Sequence, residues 1–441
     1  MMKILASAGV KKINCKIGDS LMGQLYIRKC EYIRDDLEAN GLFLSDGTIK
    51  ILLISCDIAV LMPDFVEKVK KKIEQKTGVS FENIYIFCTH THTGPNTAGL
   101  LPDDPVNAEY LLQLEHWLVE LSQQLVSSAK PSRIGYAAGN AQIGYNRRVC
   151  WMDGTHTMYG DTRKEDFAGL EGPEDPTHCV ISVVDNDNNH IAIVHNNACH
   201  STTVESSNFA SADFPGEARR CLREILDRKD LPVLYIQGAS GDLSPWNLTK
   251  PEKKVSGIQR MKEIGSILAS ETMKLISSIE YQDSEILKTA SEKIVMKVRL
   301  PEVEKLKRAK EIVEAGEEKS GRHNYVLNWS ILKLYEDFKD KPYEEIPIHA
   351  IRIGNCAIAT NPYEYYCQFG IDIRKRSPAK VTMIAQLADG WYGYCPTVYG
   401  VLGGGYSGMT IYWTRHQMEA GYIVADVCSR LLHKLWKKGE Q

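Results

Sequence analysis

Residues 49–57, IKILLISCD, are followed by Pro63-Asp64, by the stretch FVEKVKKKIEQKTG, and then by NIYIFCTHTHTGP from Asn83 to Pro95. The first run is β-branched and apolar. The second carries apolar residues at helical spacing and ends at Gly78, and the third returns as a strand. Strand, helix and strand in this order form a βαβ unit, which requires two parallel strands joined by a right-handed crossover. The chain is thereby confined to the α/β class. The expected architecture is a mixed, largely parallel central sheet with flanking helices, with any ligand site at the carboxyl ends of its strands.

The rest of the chain repeats the rhythm. Strands at 178–185 and 190–196 are separated by Asn-Asp-Asn-Asn, a hairpin turn signal. A helix from Pro215 to about Lys229 leads to a strand at 233–237 and the loop GASGDLSP. A helix is expected at 254–279, an extended stretch at 284–300, and charged helices over 301–340 with a break at Gly321. Strands near 345–360 and 380–387 flank a helix opened by NPYEYY, and a Gly-rich loop at 388–411 precedes a final helix at about 414–437. The reading is one catalytic domain over 1–441, with 284–342 as an appended subdomain, because its Lys/Glu-rich helices look like a solvated face.

Composition narrows the function. Of 441 residues, 43% are hydrophobic and 25% charged, which excludes a disordered or fibrous chain. A net charge of -3 gives no electrostatic reason to expect nucleic acid or an anionic membrane surface. No window approaches the roughly 20 apolar residues of a membrane span. The start, MMKILASAGVKKINC, is too short for a secretory h-region, so a cytoplasmic chain is expected. Twelve cysteines without a C-x-x-C pair read as buried thiols rather than disulfides or a thiolate zinc site.

Chemistry concentrates at strand ends. In Thr89-His90-Thr91-His92-Thr93 a strand period of two would point both imidazoles to one side. They could share a metal, or one could bind it while the other handles protons; the bland reading is a polar strand end with two hydrogen-bonded histidines. Asp57, ending the preceding strand, could orient either histidine. His200 falls just past a strand end and is a better ligand than His195, which lies inside it. Asp213 reads as an N-cap at least as readily as a catalytic group. The loop 238–245 could cradle a ligand oxygen, but Ser240 lacks a G-x-S-x-G setting. Glu364, in the first turn of an expected helix, would alone be a dipole-favoured cap. Tyr394 and Tyr406 lie in a loop too long and too aromatic for a connector. Trp151 and His156 border this set with structural and contact roles equally weighted, whereas His116, His323, His349, His416 and His433 read as surface or core residues.

The ordered set AGVKKIN, CTHTHTGP at 88–95, NRR at 146–148, CHSTT and SADFPG at 199–216, QGASGDLSP at 237–245, NPYE at 361–364 and GYCPT at 393–397 resembles the neutral ceramidase superfamily. These are zinc amidases of the neutral/alkaline non-lysosomal type, and the chain resembles a short form without the carboxyl-terminal immunoglobulin-like domain. The resemblance implies one Zn²⁺ per chain, held by His90, His200, Glu364 and Tyr394, and attack of metal-bound hydroxide on an amide carbonyl. It further implies that His92 handles protons and that Arg147 and Tyr406 contact the carbonyl or its oxyanion, in lipid metabolism. The chemistry is consistent, since zinc can bring the pKa of water to about 7 and a developing oxyanion needs a fixed donor. Gly238-Ala239 replaces the polar Ser-Asn pair of the ceramidases, and inserted glycines mark 399–406. The expected substrate is therefore a small, soluble N-acyl or O-acyl compound, with no nucleic acid partner and no stable membrane insertion. Esterase, deacetylase or lactonase activity uses the same carbonyl chemistry, and a non-catalytic metal-binding protein is the remaining alternative.

Overall fold

In the computed structural model, which describes residues 3–250 and 255–437, the strands gather into three main sheets rather than one. The first runs, in spatial order, Ile84–Cys88, Lys50–Cys56, Glu38–Ser45, Leu5–Lys12 and Lys130–Pro131. The second runs Val233–Gln237, His190–Asn197, Thr177–Val184 and Arg133–Asn140, and the third Leu287–Lys297, Tyr343–Ile353, Cys356–Thr360 and Val381–Ala385. The mixed α/β class is as expected, but the balance of strand directions is not. Each main sheet holds one parallel pair, and its other pairings are antiparallel. The parallel pairs arise where a helix crosses over: Pro63–Thr77, Asp213–Ile225 and Cys367–Arg376. Tight turns supply one antiparallel neighbour in each sheet, as between Glu38–Ser45 and Lys50–Cys56, Thr177–Val184 and His190–Asn197, and Tyr343–Ile353 and Cys356–Thr360, because a short turn can only reverse direction.

The three sheets share one core. Leu53, Tyr85 and Phe87 from the first, Ile181, Val194 and Ile236 from the second, and Ile351, Ile358 and Met383 from the third belong to a single buried cluster. Opposite faces are covered by helices: Val69 and Leu118 meet Leu52 and Ile86, Leu222 and Ala269 meet Ile193, and Ile373 and Val424 meet Ala357. Strands buried on both faces need apolar residues at every position, hence the unbroken runs in the sequence.

Helix and strand bounds move by a few residues. The helix expected at 254–279 is Gly257–Ile276, and residue 254 lies outside the described residues. The charged helices are Val303–Ala315, Glu317–Ser320 and Arg322–Phe338, broken at both Gly316 and Gly321, where φ is 82° and 78°. The extended stretch Leu287–Lys297 pairs along its whole length with Tyr343–Ile353 as the edge of the third sheet. All twelve cysteines are free thiols, and eleven are buried. Among the described residues no helix is long and apolar enough to cross a membrane.

A buried ion cluster ties the third sheet to the loop before the last helix. Glu344 accepts from Arg415 and lies 3.0 Å from His416 Nε2. Burial opposes ionisation of Glu344, but Arg415 and His416 outweigh it and hold the carboxyl at about 2, against a usual 4.5. A folded value below the unfolded one stabilises the protein above pH 4.5 and is lost as pH falls toward 2. The stake is about 3 kcal/mol. Glu344→Gln is therefore expected to lower the melting temperature at pH 7, with the gap to wild type closing as unfolding is followed down to pH 3; a gap independent of pH would contradict this.

Candidate metal centre

Each sheet delivers its parallel pair's carboxyl end to one place. From the first sheet, Ile84–Cys88 stops at Cys88, so the expected strand through 89–93 does not form. Thr89 N–H and His90 N–H instead bond to the carbonyls of Cys56 and Ile58, and His90 takes a left-handed backbone with φ of 65°. That conformation is costly for a residue with a side chain and tends to occur at functional sites. The turn still brings both imidazoles together, with His92 Nε2 3.3 Å from His90 Nε2. From the second sheet, His190–Asn197 runs into His200. From the third comes Glu364, which lies not in a helix but in a two-residue strand, Glu364–Tyr365, paired parallel with Tyr394–Cys395 so that Glu364 stands opposite Tyr394. The helix starts later, at Cys367.

His90 Nδ1 lies 2.7 Å from the Ala59 carbonyl and His200 Nδ1 2.9 Å from the Ser240 carbonyl. A carbonyl only accepts, so each Nδ1 carries the hydrogen and each Nε2 a lone pair. These two Nε2 atoms are 2.9 Å apart, and Glu364 Oε2 is 3.3 Å from both. Burial, with Arg147 alongside, pushes His200 down to about 3, so the ring is neutral. The Glu364 side chain is buried as well. Its Oε2 is buried with no hydrogen-bond partner, while Oε1 accepts from Trp391 Nε1 at 2.9 Å. Three acceptors thus converge, and the nearest donor, Arg147 Nη2 at 3.1 Å from His200 Nε2, also serves the Gly241 carbonyl at 2.9 Å. Ligands of a tetrahedral ion with bonds of about 2.05 Å are about 3.3 Å apart, so the separations fit one divalent cation such as Zn²⁺. Tyr394 completes the wall: its hydroxyl is 3.3 Å from Arg147 Nη2, and its residue stands opposite Glu364 in the strand pair.

Around this cluster stand the other expected residues. His92 is kept neutral chiefly by burial, and one ring nitrogen from each of His90, His92 and His200 lies within 4.8 Å of the other two. Arg147 is brought in by the two-strand pairing of Tyr145–Asn146 with Leu243–Ser244, and its Nη1 reaches Tyr159 at 3.3 Å. Burial disfavours the charge, but Tyr159, Tyr394 and Glu364 more than compensate. The Tyr406 ring stands edge-on to Tyr394 at 5.7 Å. Above the cluster opens a cavity of about 80 Å³, walled by Leu21, Met22, Leu25, Leu100, Leu101, Trp391 and Trp413.

Several expectations resolve differently. Asp57 touches neither imidazole; it accepts from Arg219 Nη2 at 2.6 Å, from the Glu38 N–H and from the Thr89 hydroxyl, and so anchors the residue before His90. Asp213 is neither cap nor site residue. It binds the N–H groups of Thr203, Val204 and Phe214, which fixes the loop after His200. The loop 238–245 cradles its own chain: Gly241 N–H bonds the Tyr365 carbonyl, and a side chain at Gly241 would strike the Glu364 backbone. The Ser240 hydroxyl is held by Gln237 and Gln386. His195 is buried away from the site beside His178 and Tyr235. His156 pairs with Glu171 and Trp151 with Thr157, and neither lines the cavity over the cluster. Sequence reasoning missed Trp391, Tyr159 and Arg28. Only Trp391 carried a signal, by sharing the aromatic Gly-rich loop with Tyr394.

No protein-family model matches the chain, and no curated protein matches it. Among solved structures it is similar to neutral ceramidase from Pseudomonas aeruginosa, with a TM-score of 0.76 and 17% identity over 99% of this chain and 75% of that one. It is likewise similar to a ceramidase complexed with C2, with a TM-score of 0.75 and 16% identity over the same shares. At these identities the likeness is one of fold, and it extends over nearly every element described above: the chain is built on the neutral ceramidase fold.

Proposed function

We propose that the protein is a metal-dependent hydrolase that cleaves the amide bond of a small, soluble N-acyl substrate. The observation that carries this reading is the convergence of His90 Nε2, His200 Nε2 and Glu364 Oε2, whose lone pairs face one another at 2.9–3.3 Å. Buried acceptors so arranged repel unless a cation lies among them. A zinc ion held there, with Tyr394 as fourth ligand, would act as a Lewis acid and lower the pKa of water to about 7. This chain's own residues supply the rest. Arg147 and Tyr406 would donate to a developing oxyanion, while the neutral His92 imidazole would move a proton. The apolar cavity over the cluster suits a short acyl group, and the ceramidase fold supports the amide class.

Elemental analysis of purified wild type is expected to find about one zinc per chain, with less than a tenth of that in His90→Ala and in His200→Ala. The zinc-loaded protein is then expected to release acid from short N-acyl amines faster than from long-chain ceramide. No zinc after resupply overturns the metal centre, and exclusive turnover of long-chain ceramide overturns the substrate class.

A further inference from the structure

His92 is held more firmly than a loop histidine requires. Arg28, itself buried, donates from Nη2 to the carbonyls of His92 at 2.6 Å and Met22 at 2.7 Å, and from Nη1 to that of Ser207 at 2.8 Å. The His92 N–H bonds the Ser201 carbonyl at 3.3 Å. Gly23, with φ of 114°, lies so close to the ring that a Cβ there would sit 2.5 Å from His92 Cβ and Cγ. Three segments, 20–28, 89–93 and 201–208, are thus stapled around one imidazole whose Nε2 faces the metal cluster.

The opposite nitrogen is the unexplained atom. His92 Nδ1 is buried and has no hydrogen-bond partner, yet Glu205 Oε2 stands 3.7 Å away, on the loop that Arg28 ties down through Ser207. Burial, with Asp213 adding to it, pushes the Glu205 carboxyl up against the opposing fields of Arg147 and Arg28. A shift of several tenths of an ångström would complete an Nδ1–H···O bond, and such bonds are often long before substrate tightens the site. We propose that Glu205 is the positioning residue for His92, accepting from Nδ1–H and thereby holding the ring in the tautomer whose Nε2 faces the reacting groups. This rests on the reading that His92 Nε2 takes a proton from the attacking water and passes it to the departing amine. Glu205 lies behind His92 on the loop that follows His200, a placement that a carboxylate serving only solvation would not need.

The test compares zinc-loaded full-length wild type, Glu205→Gln and Glu205→Asp on two substrates with the same short acyl group, an anilide and a p-nitrophenyl ester. An amine must be protonated to leave, whereas p-nitrophenolate leaves unaided, so only the anilide depends on His92 as a donor. Glu205→Gln is expected to lower kcat on the anilide by about 10- to 100-fold, the usual effect of losing a carboxylate behind a histidine, with KM and zinc content unchanged. The ester should lose less than threefold, and Glu205→Asp should recover part of the anilide rate. Equal losses on both substrates, or none on the anilide, overturn the proposal. Nitrogen-15 spectra of histidine-labelled protein test it independently of turnover: wild-type His92 should carry its proton on Nδ1, and an Nε2–H tautomer overturns it. Failure of wild type to cleave either substrate would count against the hydrolase reading, while the tautomer still decides the role of Glu205.

Discussion

Glu364→Gln should lose zinc while leaving a folded protein. The carboxylate is the one formal negative charge 3.3 Å from both Nε2 atoms. Leaving a buried cation without its partner charge costs about 3–5 kcal/mol, or roughly 10²- to 10⁴-fold in affinity. Wild type should show a large upward shift in melting temperature on adding zinc, since a ligand bound only by the folded state stabilises it by mass action. In the variant that shift should vanish at the same zinc concentration. The metal-free comparison should run the other way: the Gln amide can donate to a lone pair where the carboxylate cannot, so without zinc the variant should melt no lower than wild type. Hydrolysis should fall by at least 10²-fold, in step with the lost affinity. Full zinc content in Glu364→Gln would exclude this carboxylate as a ligand.

Arg147→Met is expected to separate chemistry from metal binding. The guanidinium touches His200, Gly241, Tyr394 and Tyr159, but its Nε has no partner, so donor capacity is left over in the site. Losing a fixed donor to a developing oxyanion typically costs about 10²- to 10³-fold in kcat. Zinc content should remain near one per chain, and KM should change little, because the interaction strengthens only as the carbonyl oxygen gains charge. Arg147→Lys should recover only part of the rate, since an ammonium keeps the charge but not the fork that spans Tyr159 and Tyr394. A kcat within threefold of wild type in Arg147→Met would remove Arg147 from the chemistry.

The sequence by itself determined the local units and much of the cluster's membership. Apolar runs of strand length joined by an amphipathic helix permit little besides βαβ, because both faces of a doubly buried strand must be apolar. His90, His200, Glu364 and Tyr394 each stand at or just beyond a strand end, and the structure brings all four together with His92, Arg147 and Tyr406. What only the tertiary structure decided were contacts between segments far apart in the chain. One sheet became three because antiparallel neighbours joined each parallel pair, and no local period encodes which strand is adjacent. The left-handed turn at His90, the pairing of Glu364 opposite Tyr394, and the Ala59 and Ser240 carbonyls that fix the histidine tautomers are long-range hydrogen-bond facts. Asp57 illustrates the limit: its place at a strand end marked it as an orienting carboxylate, but Arg219, 162 residues away, claims it. Side-chain type and spacing declare what chemistry a residue can do, whereas the partner that uses a buried charge is set by packing, which only the folded chain specifies.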